Sequence, residues 1–160
     1  MVDVKREAEL NEALELFFFA YREFTSYPDE VLEARGLGRV HHRILYFVGQ
    51  SPGISVSELL RTLGVTKQAL NAPLRKLVES GLVTSVSGQT DRRVRELRLT
   101  AAGDALESDL SGSQRDRMAE VFAQAGERRE AAWRLVMGDI ADRRGDTGGA
   151  PAHGRLSGGV

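Results

Sequence analysis

Two amide side chains and an arginine lie three and four residues apart in the middle of the chain, at Gln68, Asn71 and Arg75. A helix would place all three on one side, because residues at these spacings are neighbours on its surface. Asparagine and glutamine each donate and accept hydrogen bonds, which suits the N6/N7 edge of adenine, whereas arginine can reach guanine or phosphate. The segment therefore has the chemistry to read nucleic-acid bases, and contact with phosphates or water alone is the simpler alternative.

The basic residues of the chain are concentrated around and after this segment. Residues 61–98 contain eight basic and three acidic residues, whereas residues 1–36 contain four basic and nine acidic residues. The net charge of −1 therefore hides a basic middle segment, which is the candidate for binding a polyanion. Besides the three residues above, the candidate contacts are Thr66, Lys67, Lys76, Arg92, Arg93 and Arg95.

Residues 66–80 are predicted to form the helix that carries the first of these side chains. Its leucines, Leu70, Leu74 and Leu77, recur at helical spacing and define a core face. A shorter helix is predicted just before it, beginning at a capping box made by Ser55 and Glu58 and ending near Gly64. Two short helices joined by a tight glycine turn are typical of a helix-turn-helix unit.

A proline, Pro73, lies inside the second predicted helix, near the edge of its core face. Its ring removes the hydrogen bond to the Ala69 carbonyl, at an intrinsic cost of about 3 kcal/mol that packing must offset. We predict a bend after the second turn, which would redirect residues 67–72 relative to Arg75. A kink without functional effect is the alternative.

A β-hairpin is predicted to follow the second helix. Residues 82–86 are rich in β-branched side chains, residues 88–91 indicate a turn, and apolar residues alternate again up to Leu99. Helix, turn, helix and hairpin together describe a winged helix. In this hairpin Asp91 is expected to pair with a neighbouring arginine and hold the shape of the wing, and a simple turn residue is the alternative.

Long helices are predicted on both sides of this unit. In the N-terminal helix, apolar residues recur on one face from Leu10 to Phe24, and Tyr27-Pro28 and the glycines after it indicate a break. Thr100 is predicted to cap a helix that reaches about residue 125, and a further helix starts at about residue 127. Their apolar stripes are too wide for a monomer of this size to bury, which favours pairing across a two-fold axis.

The segment LLRTLGVTKQALNAPLRKLVESGLV, followed by TDRRVRELRLTAAG, resembles the winged helix of MarR-family transcriptional regulators. Asp91-Arg92-Arg93 matches the Asp-x-Arg element of the family wing, and residues 99–103 match its Leu-Thr-x-x-Gly element. The motifs cover residues 37–110, and the flanking helices agree in length and pattern. The resemblance implies that Arg93 enters the minor groove, with Arg92 or Arg95 meeting phosphate.

The same resemblance implies a homodimer that binds a palindromic operator in double-stranded DNA and releases it when a small aromatic or phenolic effector binds. Candidate effector contacts are Phe18, Tyr21, His41, His42 and Tyr46. A dimer core is the simpler interpretation of the aromatic residues, and a structural role with satisfied hydrogen bonds is the simpler one for the histidines. The two histidines point about 100° apart on a helix and suit no shared metal ion, so neither a metal nor another cofactor is expected.

The remaining sequence excludes several classes of protein. With no cysteine, the chain has no disulfide, thiolate metal site or cysteine nucleophile. The apolar stretch at residues 13–21 is much shorter than the roughly 20 residues of a membrane span, and no secretory signal is visible, so a cytoplasmic protein is expected. No acid pair, glycine-rich phosphate loop or Ser-His-Asp order stands out, so no enzyme is expected.

The predicted fold is mainly α with a small β-wing (α+β), a winged helix-turn-helix flanked by long dimerisation helices. Its predicted parts are an N-terminal dimerisation region (1–36), a DNA-binding lobe (37–100), C-terminal dimerisation helices (101–144) and a disordered tail (145–160). The predicted function is sequence-specific regulation of transcription, with repression expected. The alternatives are a winged-helix protein-interaction module without DNA binding, and a small enzyme or ligand carrier built on a helical dimer.

Overall fold

Six helices and three short strands make up residues 3–142, the part of the chain that the computed structural model describes. The predicted tail at residues 145–160 lies outside the described residues. In chain order the elements are α1 (Val4–Ala34), α2 (Arg39–Gln50), β1 (Ile54–Ser55), α3 (Val56–Leu63), α4 (Lys67–Glu79), β2 (Val83–Ser87), β3 (Arg95–Leu99), α5 (Ala101–Ala125) and α6 (Glu127–Asp142). The mainly helical fold with a small β-wing is confirmed.

The helix-turn-helix unit is formed by α3 and α4, and its local signals lie where the sequence predicts them. The Ser55 hydroxyl accepts a hydrogen bond from the Glu58 amide at 3.1 Å, and the Glu58 carboxylate accepts one from the Ser55 amide at 2.9 Å. Gly64 ends α3 with a φ of 64°, in the left-handed region that glycine tolerates best. Thr66 then caps α4 by accepting a hydrogen bond from the Ala69 amide at 3.2 Å.

A three-stranded antiparallel sheet stands beside the helices, with β3 in its centre and β1 and β2 at its edges. The predicted hairpin is present as β2 and β3, in a register that pairs Val83 with Leu99 and Ser87 with Arg95. We call β2, β3 and the turn between them the wing. The two-residue strand β1 is missing from the sequence prediction, because two residues are too few to show an alternating pattern.

One apolar core joins the helix-turn-helix unit to the flanking helices. Leu32 of α1 and Leu106 and Leu110 of α5 belong to the same buried cluster as residues of α2, α3, α4 and the sheet. The buried apolar residues are Leu32, Ile44, Leu45, Val48, Leu59, Leu70, Leu77, Leu82, Val83, Leu97, Leu106 and Leu110. The lobe is therefore completed by one turn of α1 and the first turns of α5.

The predicted break at Tyr27-Pro28 is wrong, because α1 continues through Pro28 to Ala34. A proline in a helix leaves the carbonyl four residues earlier without its usual donor, which here is the carbonyl of Phe24. The side-chain amide of Gln114, on α5, donates to that carbonyl at 3.2 Å. Pro28 itself is buried against the rest of the fold. A tertiary contact therefore replaces the helical hydrogen bond that the proline removes.

The first turn of α5 lies against the turn between α4 and β2. The Thr100 amide donates to the Leu82 carbonyl at 3.1 Å, and the Thr100 hydroxyl donates to the Gly81 carbonyl at 2.6 Å. The same hydroxyl accepts a hydrogen bond from the Gly103 amide at 3.0 Å and so caps the helix. A Cβ atom added to Gly103 would stand 1.9 Å from the Leu82 carbonyl oxygen. Only glycine fits at this point of closest approach.

Replacement of Gly103 by alanine is therefore expected to destabilise the fold by about 3 kcal/mol or more, because helix and turn must separate to admit the methyl group. Gly112→Ala is the matched control in the same helix, since the nearest atom to its added Cβ is 4.0 Å away. There we expect an unchanged or slightly higher stability, as alanine favours helix more than glycine. Denaturant unfolding at fixed protein concentration measures both, and equal values would contradict the close approach.

Candidate nucleic-acid interface

The side of α4 that faces away from the core carries the residues predicted to read bases. Leu70 and Leu77 are buried, while Gln68, Asn71 and Arg75 on the opposite side are exposed. Lys67 and the cap residue Thr66 are exposed at the start of the same helix. We call these five exposed residues, on α4 and at its N-cap, the reading face.

Lys76 is the predicted contact that the structure does not bring to this surface. One residue of helix rotates a side chain by about 100°, so Lys76 lies on the flank of α4 rather than beside Arg75. Its ammonium group donates a hydrogen bond to the carbonyl of Gly36, in the connection between α1 and α2. Nothing in the local sequence pattern could have shown this contact, since the two residues are 40 positions apart.

The wing presents Arg92 and Arg93 beyond the end of the sheet. Asp91 Oδ1 accepts hydrogen bonds from the Arg93 amide at 3.0 Å and from Arg93 Nε at 3.3 Å. Backbone hydrogen bonds from Gly88 to Val94 and from Val94 to Asp91 close the turn around them. The Arg93 side chain nevertheless stays 91% exposed, so most of its guanidinium group faces solvent. The pairing expected of Asp91 is present, and its role in shaping the wing stays a prediction.

Arg95 differs from its neighbours because the wing itself binds its guanidinium group. Its Nε donates to the Ser85 hydroxyl at 3.1 Å and its Nη2 to the Ser85 carbonyl at 2.5 Å, across the strand pair. A phosphate contact by Arg95 would have to share these donors. Arg92 and Arg93 therefore use fewer of their guanidinium donors for hydrogen bonds within the protein than Arg95 does.

A cavity of about 880 Å³ opens between α1, α2, α5 and α6. Three of the predicted effector contacts, Tyr21, His42 and Tyr46, lie in its wall. The other two do not, which corrects the prediction. Phe18 lies on the exposed surface of α1 outside the cavity, and His41 turns to the start of α2, where its Nδ1 accepts a hydrogen bond from the Gly38 amide at 2.9 Å.

Charged residues that sequence reasoning missed complete the cavity wall. They are Arg39, Arg43, Arg115, Arg134, Asp29, Glu127 and Glu130. Arg39 forms a two-point ion pair with Asp29, with distances of 3.0 and 2.7 Å, and Arg134 is paired with Glu130 at 2.6 Å. Their positions depend on how four distant helices pack, so no motif in the chain could indicate them. Among residues 3–142, no three acidic or histidine side chains are grouped to hold a metal ion.

A polar cluster lies at the α2–α5 side of the cavity, around His42. The His42 Nε2 atom is 3.0 Å from the Ser111 hydroxyl, and the buried Glu107 is one turn away on α5. The Oε1 atom of Glu107 has no hydrogen-bond partner and lies 3.6 Å from Arg115 Nη1. Burial lowers the pKa of His42 below its ordinary value of 6.5, and the charge of Arg43 adds to this effect while Glu107 and Asp29 oppose it.

The lowered pKa of His42 predicts a loss of stability in mild acid. An unfolded chain binds the proton first, so the free energy of unfolding falls as the pH drops below 6.5 and stops falling below the pKa of folded His42. Burial also lowers the pKa of His41, which contributes in the same direction. Asp29 and Glu58, whose pKa values are lowered from 3.8 and 4.5, act only in stronger acid.

Urea unfolding at fixed protein concentration between pH 7 and 5 measures this loss. His42→Asn is expected to reduce it, with the part due to His41 remaining. A wild-type stability that is constant over this range would contradict the burial of a neutral imidazole.

The fold and the reading face define a winged helix-turn-helix protein of the kind that regulates transcription. Residues 35–94 match a family model described as MarR family. Over 136 residues the chain is 43% identical to the HTH-type transcriptional regulator PetP of Rhodobacter capsulatus, a match that covers 85% of this chain and 82% of that protein. The chain belongs to the MarR family of DNA-binding transcriptional regulators.

Solved structures share the fold at low sequence identity. Streptococcus pneumoniae FabT, in complex with DNA, has a TM-score of 0.75 and 18% identity, with 89% of this chain and 99% of that chain covered. Staphylococcus aureus MarR, in complex with salicylate and kanamycin, has a TM-score of 0.70 and 20% identity, with 90% and 97% covered. The family is one of regulators rather than enzymes. Within the described residues, no helix is both long and apolar enough to cross a membrane.

Proposed function

We propose that this protein represses transcription by binding a palindromic operator in double-stranded DNA as a homodimer, and that a small aromatic effector releases it. One observation carries the proposal: amide and arginine side chains are exposed on the reading face, and a pair of arginines is exposed at the turn of the wing. The structure of FabT, which has a similar fold and is a complex with DNA, supports DNA binding by this fold.

In the proposed complex the two basic surfaces have different tasks. The reading face enters the major groove, where Gln68 and Asn71 discriminate adenine and Arg75 meets guanine or phosphate. Arg93 enters the adjacent minor groove, whose negative potential is strongest where A·T-rich sequence makes it narrow. The hydrogen bonds from Arg93 to Asp91 limit the freedom of its side chain, so less entropy is lost when it enters the groove.

Exposed apolar side chains on α1 and α6 support the homodimer. Leu14 and Phe18 of α1 are 68% and 62% exposed, and Leu135 of α6 is 72% exposed. Soluble monomers rarely leave so many large apolar groups in water, and a two-fold axis would bury the same surface on both copies. Two copies of α4 could then reach successive major grooves, about 34 Å apart, which requires a palindromic site.

The cavity supports release by an effector. It lies between α1, which carries the proposed dimer surface, and α2, which packs in the DNA-binding lobe. Tyr21 and Tyr46 offer hydroxyl groups and Arg43 offers a positive charge, and apolar side chains such as Phe24, Phe47 and Met118 lie in the same wall. The structure of Staphylococcus aureus MarR contains salicylate, a small aromatic acid of the class that this wall suits. A ligand that alters the angle between α1 and α2 would move both copies of α4.

The DNA-binding part of the proposal predicts preferential and salt-sensitive affinity. Fluorescence anisotropy is measured with the duplex upstream of the protein's own gene and with a scrambled duplex, at low and physiological salt. Affinity for the first duplex should be higher. It should fall steeply as the salt concentration rises, because the release of counterions from DNA on binding is less favourable at high salt. Arg93→Ala is expected to weaken binding by about 1–3 kcal/mol without changing the melting temperature.

Arg6→Ala is the matched control, because Arg6 is an exposed arginine of α1 far from the reading face and is paired with Glu9. It should bind DNA like the wild type. Binding that is indifferent to sequence, salt and Arg93→Ala would reject a DNA regulator and favour a protein-interaction module.

The dimer part of the proposal predicts a solution mass of twice the chain mass of 17.6 kDa. Phe18→Glu is expected to shift the protein to a monomer in size-exclusion chromatography with light scattering, because it places a charge in the apolar surface. Val86→Glu, at an exposed apolar residue of the wing, makes the same chemical change elsewhere and should remain a dimer. A monomeric wild type would exclude the two-fold arrangement.

A further inference from the structure

We infer that Lys76 is a positioning residue, which ties α4 to the end of α1 and acts on DNA recognition through this tie rather than by contacting phosphate. The inference rests on the proposed function, since it specifies how the two reading faces of a dimer are held at their spacing. The structural part of the inference can nevertheless be tested on the free protein.

The position of Lys76 on α4 carries the first step of the argument. Gln68, Asn71 and Arg75 of the reading face point away from the buried Leu70 and Leu77, and Lys76 lies on the flank of α4 next to the α1–α2 connection. There its ammonium group donates to the carbonyl of Gly36. A Cβ atom at Gly36 would itself be 3.6 Å from Lys76 Nζ, so the lysine lies closely against this glycine.

The end of α1 is chemically suited to receive this cation. The carbonyl groups at the C-terminus of a helix lack intrahelical donors and carry partial negative charge. The last turn of α1 contains no basic residue, and Arg35 follows only as the C-cap. The Gly36 carbonyl lies just beyond that end, where glycine takes a φ of 66°. Lys76 therefore supplies from another helix the positive charge that the last turn of α1 lacks.

The connection between α1 and α2 is fixed on both sides of the lysine contact. The amides of Gly36 and Leu37 donate back to the carbonyls of Glu33 and Leu32, both at 2.9 Å. On the α2 side the Gly38 amide donates to His41 Nδ1 at 2.9 Å. Burial and the nearby charge of Lys76 lower the pKa of His41, in agreement with this close grouping. Lys76 is the member of the group that comes from α4, so it links that helix to the connection.

The length of α1 converts a small rotation at the Lys76–Gly36 contact into a larger displacement at the proposed dimer surface. From Phe18, in the proposed dimer surface, to Ala34 the helix rises about 24 Å at 1.5 Å per residue. A rotation of about 5° between α1 and α4 would therefore displace one lobe by about 2 Å relative to the dimer contact. Such a shift is more than half of the rise of one base pair, which is about 3.4 Å, so it changes the half-site spacing that a dimer fits best.

The test compares Lys76→Met with Lys67→Met, a matched change at an exposed lysine of the reading face. Affinity is measured over a range of salt concentrations for the operator and for operators with one base pair inserted or deleted between half-sites. Lys76→Met should leave the salt slope unchanged and reduce the preference for the natural spacing about tenfold. Lys67→Met should lower the slope by about 2 for a dimer that loses two phosphate contacts, with the spacing preference kept.

Two further measurements separate the tie from a general loss of structure. Lys76→Arg should restore the spacing preference, because a guanidinium group also donates to a carbonyl. In the free protein, hydrogen exchange of residues 35–38 should be faster in Lys76→Met than in the wild type and unchanged in Lys67→Met. The melting temperatures of the variants show whether either substitution unfolds the lobe.

The outcomes have distinct meanings. A salt slope lowered by Lys76→Met, with spacing preference intact, would overturn the inference and make Lys76 a phosphate contact. Unchanged hydrogen exchange in Lys76→Met would also overturn it, whatever the DNA result. If the wild type binds no duplex, the proposed function fails, and the exchange experiment alone decides whether the tie exists.

Discussion

The close approach of α5 to the Leu82 carbonyl is the constraint on which the arrangement of the molecule depends. Leu82 lies three residues after the end of α4, so the contact through Thr100 and Gly103 holds the start of α5 close to the end of α4. The rest of α5 then forms one wall of the cavity and leads into α6. One glycine therefore sets the distance between α5 and the turn that follows α4.

A second set of contacts fixes α1 against α5 across the cavity. Gln114 donates to the carbonyl that Pro28 leaves free, and the Tyr27 hydroxyl donates to Asp109 at 2.9 Å. This hydrogen bond, together with the charge of Asp109, raises the pKa of Tyr27. Pro28 therefore has a structural consequence that its local effect on a helix would not suggest, since it leaves free an acceptor to which Gln114 of α5 donates. Gln114 also lies in the cavity wall, so one of these contacts borders the cavity.

Local signals explain what the sequence could predict, and tertiary contacts explain what it could not. The capping box at Ser55, the left-handed Gly64 and the cap at Thr66 act within four residues, and their predicted positions agree with the structure. The break expected at Pro28 was wrong because the donor that replaces its missing amide is Gln114, a residue 86 positions later in the chain. The cavity arginines and the contact of Lys76 with Gly36 likewise depend on helices that meet only in the folded chain. The reading face was accessible to sequence analysis because one helix carries it.

The segregation of charge adds a constraint that the fold alone does not give. Residues 61–98 carry a net charge of +5 and residues 1–36 a net charge of −5. Since the first group forms α4 and the wing while the second forms α1, a polyanion is attracted to one side of the molecule and repelled from the other. In the proposed complex, repulsion of DNA by the acidic α1 and its attraction to the basic lobe both favour an approach in which the reading face meets the DNA first. The near-zero net charge results from this opposition and gives no measure of how strongly the lobe attracts DNA.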